Sequence, residues 1–329
     1  MKGLAVRRYT DDDEPAVLDL LQTSLGWLAD EHHTAFFRWK HRDNPFGPSP
    51  AWVALDGERT VGLRVLLRWE FDRDNGPDDG IARAARAVDT ATDPAYQGRG
   101  IFSGLTLHAI DELTREGLHF IFNTPNDQSL PGYLKMGWKI VGKLPVSARP
   151  RAPATVARMA RARTAADLWS TPTDAGLDAV EVLADTAGLG ALLVSQPRTD
   201  GLRTRRTPAV IRWRYAGFPP LGYRVLLRGS RLEEGFVVFR LRRRGQALEA
   251  VVGDVLVPDG DRRAAAALLR SVPRVAGADY AIRLGGGAAA AGYVPLPRQG
   301  PVLTWRAITE KTPPPLESWR LTLGDVELF

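Results

Sequence analysis

The sequence has 329 residues, of which 44% are hydrophobic and 25% are charged, as is typical of folded globular proteins. This length predicts about two domains. The absence of Cys excludes disulfides, thiolate metal sites and cysteine nucleophiles. No signal peptide is recognised, and no apolar run approaches the roughly 20 residues that a membrane helix needs. We therefore expect a cytoplasmic protein that has no membrane partner.

The formal net charge of +6 is unevenly distributed along the chain. Residues 1–150 contain 18 Lys and Arg against 21 Asp and Glu, whereas the remainder contains 26 against 17. The densest basic clusters are residues 205–206 and 240–244. One interpretation is a nucleic-acid surface. We favour a solvated Arg-rich face instead, because isolated clusters seldom amount to a continuous binding footprint.

The first half of the sequence predicts a mixed α/β unit. Alternating and helical apolar patterns follow each other in the order β-α-α-β-β-β-α-β-α-β. A turn at Asp56-Gly57 joins the second and third strands, and a polar loop is expected at 72–80. The strands are expected at 5–9, 51–55, 60–71, 83–92, 119–122 and 138–144, and the helices around 15–21 and at 34–42, 98–117 and 130–136.

The second half of the sequence echoes the first at three places. The spacing between matching residues falls from 174 to 155, as expected if the second copy has shorter loops. We therefore predict a tandem duplication, the alternative being two unrelated α/β domains. The predicted division is 1–148, a linker at 149–178 with a basic helix at 154–169, and 179–329. The matching segments are 37–40 with 211–214, 92–94 with 257–258, and 136–138 with 291–293.

The segment at 92–103 (TDPAYQGRGIFS) lies between a predicted strand and a predicted helix. Gly98 and Gly100 let the backbone approach a ligand closely. The start of a helix offers unpaired N–H groups and a partial positive charge, so this loop is suited to hold a phosphate without a metal. It lacks the Lys-Ser/Thr pair of a nucleoside-triphosphate loop and the third glycine of a dinucleotide site.

Two motifs carry a resemblance to a known family. Residues 97–101 (QGRGI) resemble the Arg/Gln-x-x-Gly-x-Gly/Ala loop of GNAT N-acetyltransferases, except that Phe102 stands where the family has Gly or Ala. Residues 126–138 (NDQSLPGYLKMGW) resemble the family's Asn-x-x-Ala-x-x-x-Tyr-x-x-x-Gly-Phe signature, with Ser129 for Ala and Trp138 for Phe. The resemblance covers residues 5–147 and implies two tandem GNAT-like domains, the second degenerate.

Size, duplication and the segment at 39–47 give a more distant similarity to the mycobacterial enhanced-intracellular-survival aminoglycoside acetyltransferases. The resemblance implies acetyl-CoA, or another acyl-CoA, as co-substrate and a small-molecule amine as acceptor. No metal is expected, and oligomerisation is left open. The residues implied in cofactor binding are Thr90, Thr92, Gln97, Gly98, Arg99, Gly100, Ile101, Phe102, Ser103 and Asn126.

The resemblance also implies that Tyr133 is the general acid that protonates the leaving thiolate. A phenol, with an ordinary pKa of about 10, suits this role. A packing role for Tyr133, and a helix-capping role for Asn126, are the structural alternatives. The sequence does not identify the general base. Asp89, water, the carboxylate of Phe329, and the histidines His32, His33 and His41 are all candidates, although each histidine is more simply explained as structural.

The second copy is expected to have lost the chemistry. Acidic residues at 259 and 261 stand where N–H groups would meet phosphate, and Ala288 occupies the position equivalent to Tyr133. The leading hypothesis is an acyl-CoA-dependent N-acetyltransferase that acts on a small amine. The alternatives are a non-catalytic acyl-CoA scaffold or sensor, and a tRNA-dependent aminoacyl transferase.

Overall fold

The computed structural model describes residues 3–73, 80–198, 200–286 and 288–327. These residues form two compact units. The first contains residues 3–142 and 301–316, and the second contains 143–300 and 317–327. Strands and helices are numbered here in chain order.

The first unit is a mixed sheet with helices on both faces. Its strands lie in the order β1-β2-β3-β4-β5-β15-β6. β4 and β5 run parallel, whereas the β1–β2, β2–β3, β3–β4 and β5–β15 pairs are antiparallel. The elements are β1 (Ala5–Arg8), α1 (Glu14–Leu25), α2 (Glu31–His41), β2 (Ala51–Asp56), β3 (Arg59–Arg73), β4 (Ile81–Thr92), α3 (Ile101–Arg115), β5 (Phe120–Asn123), α4 (Leu130–Lys135), β6 (Lys139–Lys143) and β15 (Val302–Ala307).

The side chains of β2 alternate between the two faces of the sheet, and both faces are covered by helices because both carry apolar side chains. Trp52 and Ala54 point into the core beneath α3, and Val53 points into the core beneath α1. The predicted order of elements is confirmed. The predicted loop at 72–80 falls partly on 74–79, outside the described residues.

The second unit has the same architecture. Its sheet order, β8-β10-β11-β12-β13-β7-β14, matches that of the first unit place for place, and β12 and β13 are the parallel pair. The predicted duplication is therefore confirmed at the level of the fold. The elements are β7 (Val146–Pro150), α5 (Val156–Arg161), β8 (Leu177–Asp178), α6 (Ala179–Val182), α7 (Thr186–Val194), β9 (Leu202–Thr204), α8 (Pro208–Ala216), β10 (Arg224–Leu227), β11 (Phe236–Arg244), β12 (Ala247–Leu256), α9 (Arg262–Val275), β13 (Tyr280–Leu284), β14 (Val294–Pro295) and α10 (Leu323–Val326).

Neither unit is one continuous segment of chain. The strand beside β5 is β15, from the end of the sequence, and the strand beside β13 is β7, which precedes the rest of the second unit. The division into 1–148, 149–178 and 179–329 stays a prediction.

The basic helix expected at 154–169 is shorter than predicted. It ends at Arg161, and the chain then runs beside β11, where the Asp167 amide donates to the Arg243 carbonyl at 2.9 Å. The Thr171 amide donates in the same way to the Leu241 carbonyl at 2.8 Å. Pairing with an open strand edge therefore replaces helical bonds in this segment. No helix in the described part of the chain has the length and apolarity to cross a membrane.

Candidate active site

The parallel strands β4 and β5 separate part-way along their length. Their ladder covers the pairs from Ala84–Phe120 to Arg86–Phe122. β4 then continues to Thr92, whereas β5 ends at Asn123. The edge of β4 beyond Arg86 is thereby open to an extended ligand, which could pair with it as an added strand.

A cleft of about 500 Å³ fills the space where the strands separate. One wall comes from the end of β4, and the opposite wall comes from the segment after β5 and from α4. The lining residues are Leu25, Ala87, Val88, Asp89, Thr90, Thr92, Phe102, Asn123, Thr124, Pro125, Asn126, Gln128, Ser129, Gly132 and Tyr133.

The loop between β4 and α3 leads to an uncapped helix N-terminus. Gly98 and Gly100 have φ values of +75° and +76°, a region that favours glycine, and a side chain built at either position would meet open space. Among the described residues, no side chain caps the first turn of α3. The first N–H groups of this helix are thus free to bind an anion.

Tyr133 lies in the wall of the cleft beside two other side chains. It is only 5% exposed, and its ring packs edge-on against Phe102 at 5.3 Å between centroids. Its hydroxyl oxygen accepts a hydrogen bond of 2.9 Å from Nη1 of Arg64, which is fully buried on β3. A phenol that reaches an open cleft can donate a proton there.

Comparison with known proteins decides the family of this domain. Residues 5–141 match the family model described as an acetyltransferase (GNAT) domain. Residues 5–141 are a GNAT acetyltransferase domain. No curated protein matches the sequence.

Solved structures extend the likeness of fold over 93% of the chain, although their sequence identity is low. A GCN5-related N-acetyltransferase from Anabaena variabilis has a TM-score of 0.61, 13% identity and 73% of its own chain covered. A GCN5-related N-acetyltransferase from Kribbella flavida has a TM-score of 0.58 and 16% identity, with 72% of its own chain covered. Eis1 from Mycobacterium abscessus has a TM-score of 0.55 and 16% identity, with 73% of its own chain covered. The tandem GNAT-like fold predicted from the sequence is thereby confirmed.

The structure brings about half of the predicted site residues of the GNAT domain to the cleft. The Thr92 carbonyl already accepts a hydrogen bond from the Ser24 hydroxyl at 3.0 Å, which leaves it one lone pair. The predicted site residues that line the cleft are Asp89, Thr90, Thr92, Phe102, Asn126 and Tyr133. Those that belong to the loop or the first turn of α3 are Gln97, Gly98, Arg99, Gly100, Ile101 and Ser103.

Three of these predicted residues also have structural roles. The side-chain oxygen of Asn126 accepts bonds of 2.9 Å from both the amide and the hydroxyl of Ser129, which orders the turn before α4. The side chain of Ile101 is buried in the core, so only its backbone could face a cofactor. Arg99 stacks on the Tyr96 ring at 4.6 Å.

Asp89 lies at a bulge of β4, with a φ of +36°. Its carboxylate pairs with the ammonium of Lys40 and lies 2.8 Å from Nε2 of His41. Burial opposes its ionisation, but the charge of Lys40 and the hydrogen bond from His41 outweigh burial and hold the pKa of Asp89 well below its usual range. A carboxylate in this state has little affinity for a proton.

Burial lowers the pKa of Lys40 and of His41, and Asp89 opposes both changes. Nδ1 of His41 lies 3.0 Å from the Ser49 hydroxyl, so both of its ring nitrogens are engaged. His33 Nδ1 lies 2.8 Å from Asp30. The structure thus gives His33 and His41 the structural roles that the sequence favoured. Phe329 lies outside the described residues.

Sequence reasoning missed Arg64 and Lys40. Arg64 interrupts the apolar run of β3, and Lys40 lies in the buried part of α2. A charged residue inside an otherwise buried pattern was the available signal, because such a residue needs a polar partner.

The second unit lacks the open helix terminus. At the start of α9, the Asp261 carboxylate accepts hydrogen bonds from the Arg263 and Ala264 amides at 2.8 and 3.2 Å. A protein carboxylate thus occupies the position that an anionic ligand would take. The loss of the chemistry from the second copy, and the equivalence of Ala288 with Tyr133, stay predictions from the sequence.

Proposed function

We propose that the protein transfers the acetyl group of acetyl-CoA to a primary amine of a small molecule by direct attack. One observation carries the proposal: the cleft opened by the separation of β4 and β5 reaches the uncapped start of α3 at Phe102 and is lined by Tyr133.

In this proposal the cofactor follows the open edge of β4. Its pyrophosphate binds the amides of residues 98–103, where the helix dipole favours negative charge. The pantetheine arm pairs with the backbone of Thr90 and Thr92 as an added strand. Asn126 and Phe102 contact this arm from the opposite wall. The thioester then lies near Tyr133.

The proposed chemistry is one transfer without a covalent enzyme intermediate. The lone pair of the neutral amine attacks the thioester carbonyl carbon, and the C–S bond breaks. The leaving sulfur takes the proton of the Tyr133 hydroxyl, and the amine nitrogen loses a proton to water. Proton transfer by a positioned acid contributes roughly 10²- to 10⁴-fold in rate.

Asp89 is not retained as the base in this mechanism. Its carboxylate is already engaged by Lys40 and His41, and its lowered pKa makes it a poor acceptor for the proton that the attacking amine loses. We propose instead that Asp89, Lys40 and His41 form a neutral buried cluster that holds the bulge of β4 in shape. The bulge directs Thr90 and Thr92 along the cleft.

Release of free CoA tests the proposal directly. The protein has no Cys, so a thiol reagent reports CoA alone. We expect amine-dependent thiol release from acetyl-CoA across a panel of small amines, including aminoglycosides. Tyr133→Phe should lower kcat about 100-fold with little change in acetyl-CoA affinity. An unchanged kcat would remove Tyr133 from the chemistry.

Binding of acetyl-CoA without turnover on any amine would contradict acyl transfer and support the scaffold alternative. If the protein retains RNA and this retention falls steeply as the salt concentration rises, the tRNA-dependent alternative would be supported instead.

A further inference from the structure

Arg64 is a fully buried cation next to the cleft. Within the described residues it has no carboxylate partner, and its Nε and Nη2 atoms have no hydrogen-bond partner. Burial of an unpaired charge is unfavourable, so such a residue needs an explanation beyond packing.

The contacts of Arg64 all lead to the cleft wall. Nη1 donates to the Thr90 hydroxyl and to the Tyr133 hydroxyl, the latter at 2.9 Å. The guanidinium carbon lies 5.4 Å from the centre of the Tyr133 ring and 5.8 Å from that of Phe102. One nitrogen thus links β4 to α4 across the cleft wall.

The bulge of β4 accounts for the position of Arg64. In the β3–β4 ladder, Leu63 pairs with Ala91 and Val65 pairs with Val88, so Arg64 faces two residues, Asp89 and Thr90. The extra residue widens the ladder at this point.

A guanidinium can only donate hydrogen bonds, so the Tyr133 oxygen must be the acceptor from Arg64. The phenol hydrogen then points away from Arg64, and Tyr133 is one of the residues that line the cleft. When that hydrogen moves to the leaving sulfur, the phenolate that remains lies against a cation that has no carboxylate partner in the part of the chain that the structure describes.

We propose that Arg64 is a positioning residue that turns the Tyr133 proton toward the thioester sulfur and stabilises the phenolate left by its transfer. This inference rests on the proposed function, and assigns to Arg64 a role that acts through Tyr133 alone.

A double-mutant cycle tests this role. Arg64→Met removes the charge and all the N–H donors of the guanidinium but keeps an unbranched side chain. We expect R64M to lower kcat about 100-fold with little change in acetyl-CoA affinity. In the Tyr133→Phe background, R64M should cause no further loss, because the phenol through which it acts is gone.

Arg86→Met is the matched control. Arg86 is also a buried Arg of the same sheet, 1% exposed, and it donates to the hydroxyl of Thr124. Its effect on kcat should be the same in the wild-type and Tyr133→Phe backgrounds. Arg64→Lys, which keeps a donor and the charge, should recover part of the activity lost in R64M.

The outcomes separate the two proposals. Wild-type activity combined with equal losses from R64M in both backgrounds overturns the role of Arg64 and leaves the proposed function intact. A wild-type protein that releases no CoA with any amine overturns both. Circular dichroism checks the fold of each variant. Where R64M does not fold, R64K replaces it in the same cycle: its loss of kcat should be smaller than that expected for R64M in the wild-type background and absent in the Tyr133→Phe background, and an equal loss in both backgrounds overturns the role of Arg64.

Discussion

Asp89 shows how one residue combines backbone strain with buried charge. A positive φ is uncommon outside glycine, although Asp and Asn tolerate it better than other residues. The carboxylate compensates by binding the buried ammonium of Lys40 and the ring of His41. The side chain that strains the strand therefore also neutralises the charge beside it.

The pKa of Asp89 leads to a prediction about stability and pH. Because the pKa is lower in the folded state than in the unfolded chain, its contribution to stability is present above about pH 5 and is lost as the pH falls. Asp89→Asn should tolerate the same backbone conformation but lacks this dependence. Between pH 6 and pH 3, the wild type should lose more unfolding free energy than D89N, with a slope that steepens as the pH falls toward the limit of about 1.4 kcal/mol per pH unit for one proton.

Denaturant unfolding at several pH values measures this difference. Asp111→Asn makes the same substitution at an exposed carboxylate on α3 and serves as the control. A constant difference between wild type and D89N from pH 6 to pH 3 would show that Asp89 is not held as a stabilised anion.

At the scale of elements, α3 and α4 meet through Phe102, the residue at which the loop motif of this chain departs from the family pattern. A Cβ at Gly132 would lie 2.9 Å from Cε1 of Phe102, so the glycine in α4 accommodates the ring. The large residue in one helix and the missing side chain in the other thus form one packing unit.

This packing predicts that the effect of Gly132→Ala on the unfolding free energy changes sign when the Phe102 ring is removed. Gly132→Ala should destabilise the wild type by about 1 kcal/mol through overpacking. With Phe102→Ala the clash is gone, and G132A should stabilise by up to about 1 kcal/mol because Ala favours helix. Unfolding free energies from denaturant titration measure both, with Gly190→Ala in α7 as the unobstructed control. Destabilisation of equal size in both backgrounds would exclude the contact as its cause.

The same elements show what the sequence could and could not predict. The loop at 97–101 and the order of elements were readable, because glycine placement and apolar periodicity are local signals. The role proposed for Arg64 could not be read from the sequence, since it depends on a bulge that sets one residue of β3 opposite two residues of β4. The shortened helix α5 depends likewise on an open edge of β11, which lies about 80 residues further along the chain.

At the scale of the whole molecule, two units share one sheet order but differ at one helix terminus. The start of α3 is open among the described residues, whereas Asp261 caps α9. A carboxylate fixed at this position excludes a pyrophosphate by both occupancy and charge. The duplicated fold is therefore expected to bind a single acetyl-CoA per chain.

Calorimetric titration of the full chain with acetyl-CoA tests this account most directly, in comparison with Gly100→Asp and Gly117→Asp. Both glycines have a φ near +75° and open space for a side chain, so the backbone cost is matched, but Gly117 follows the far end of α3. We predict one site per chain, lost in G100D and retained in G117D. Two sites per chain, or full affinity in G100D, would contradict the assignment of the α3 N-terminus as the cofactor site.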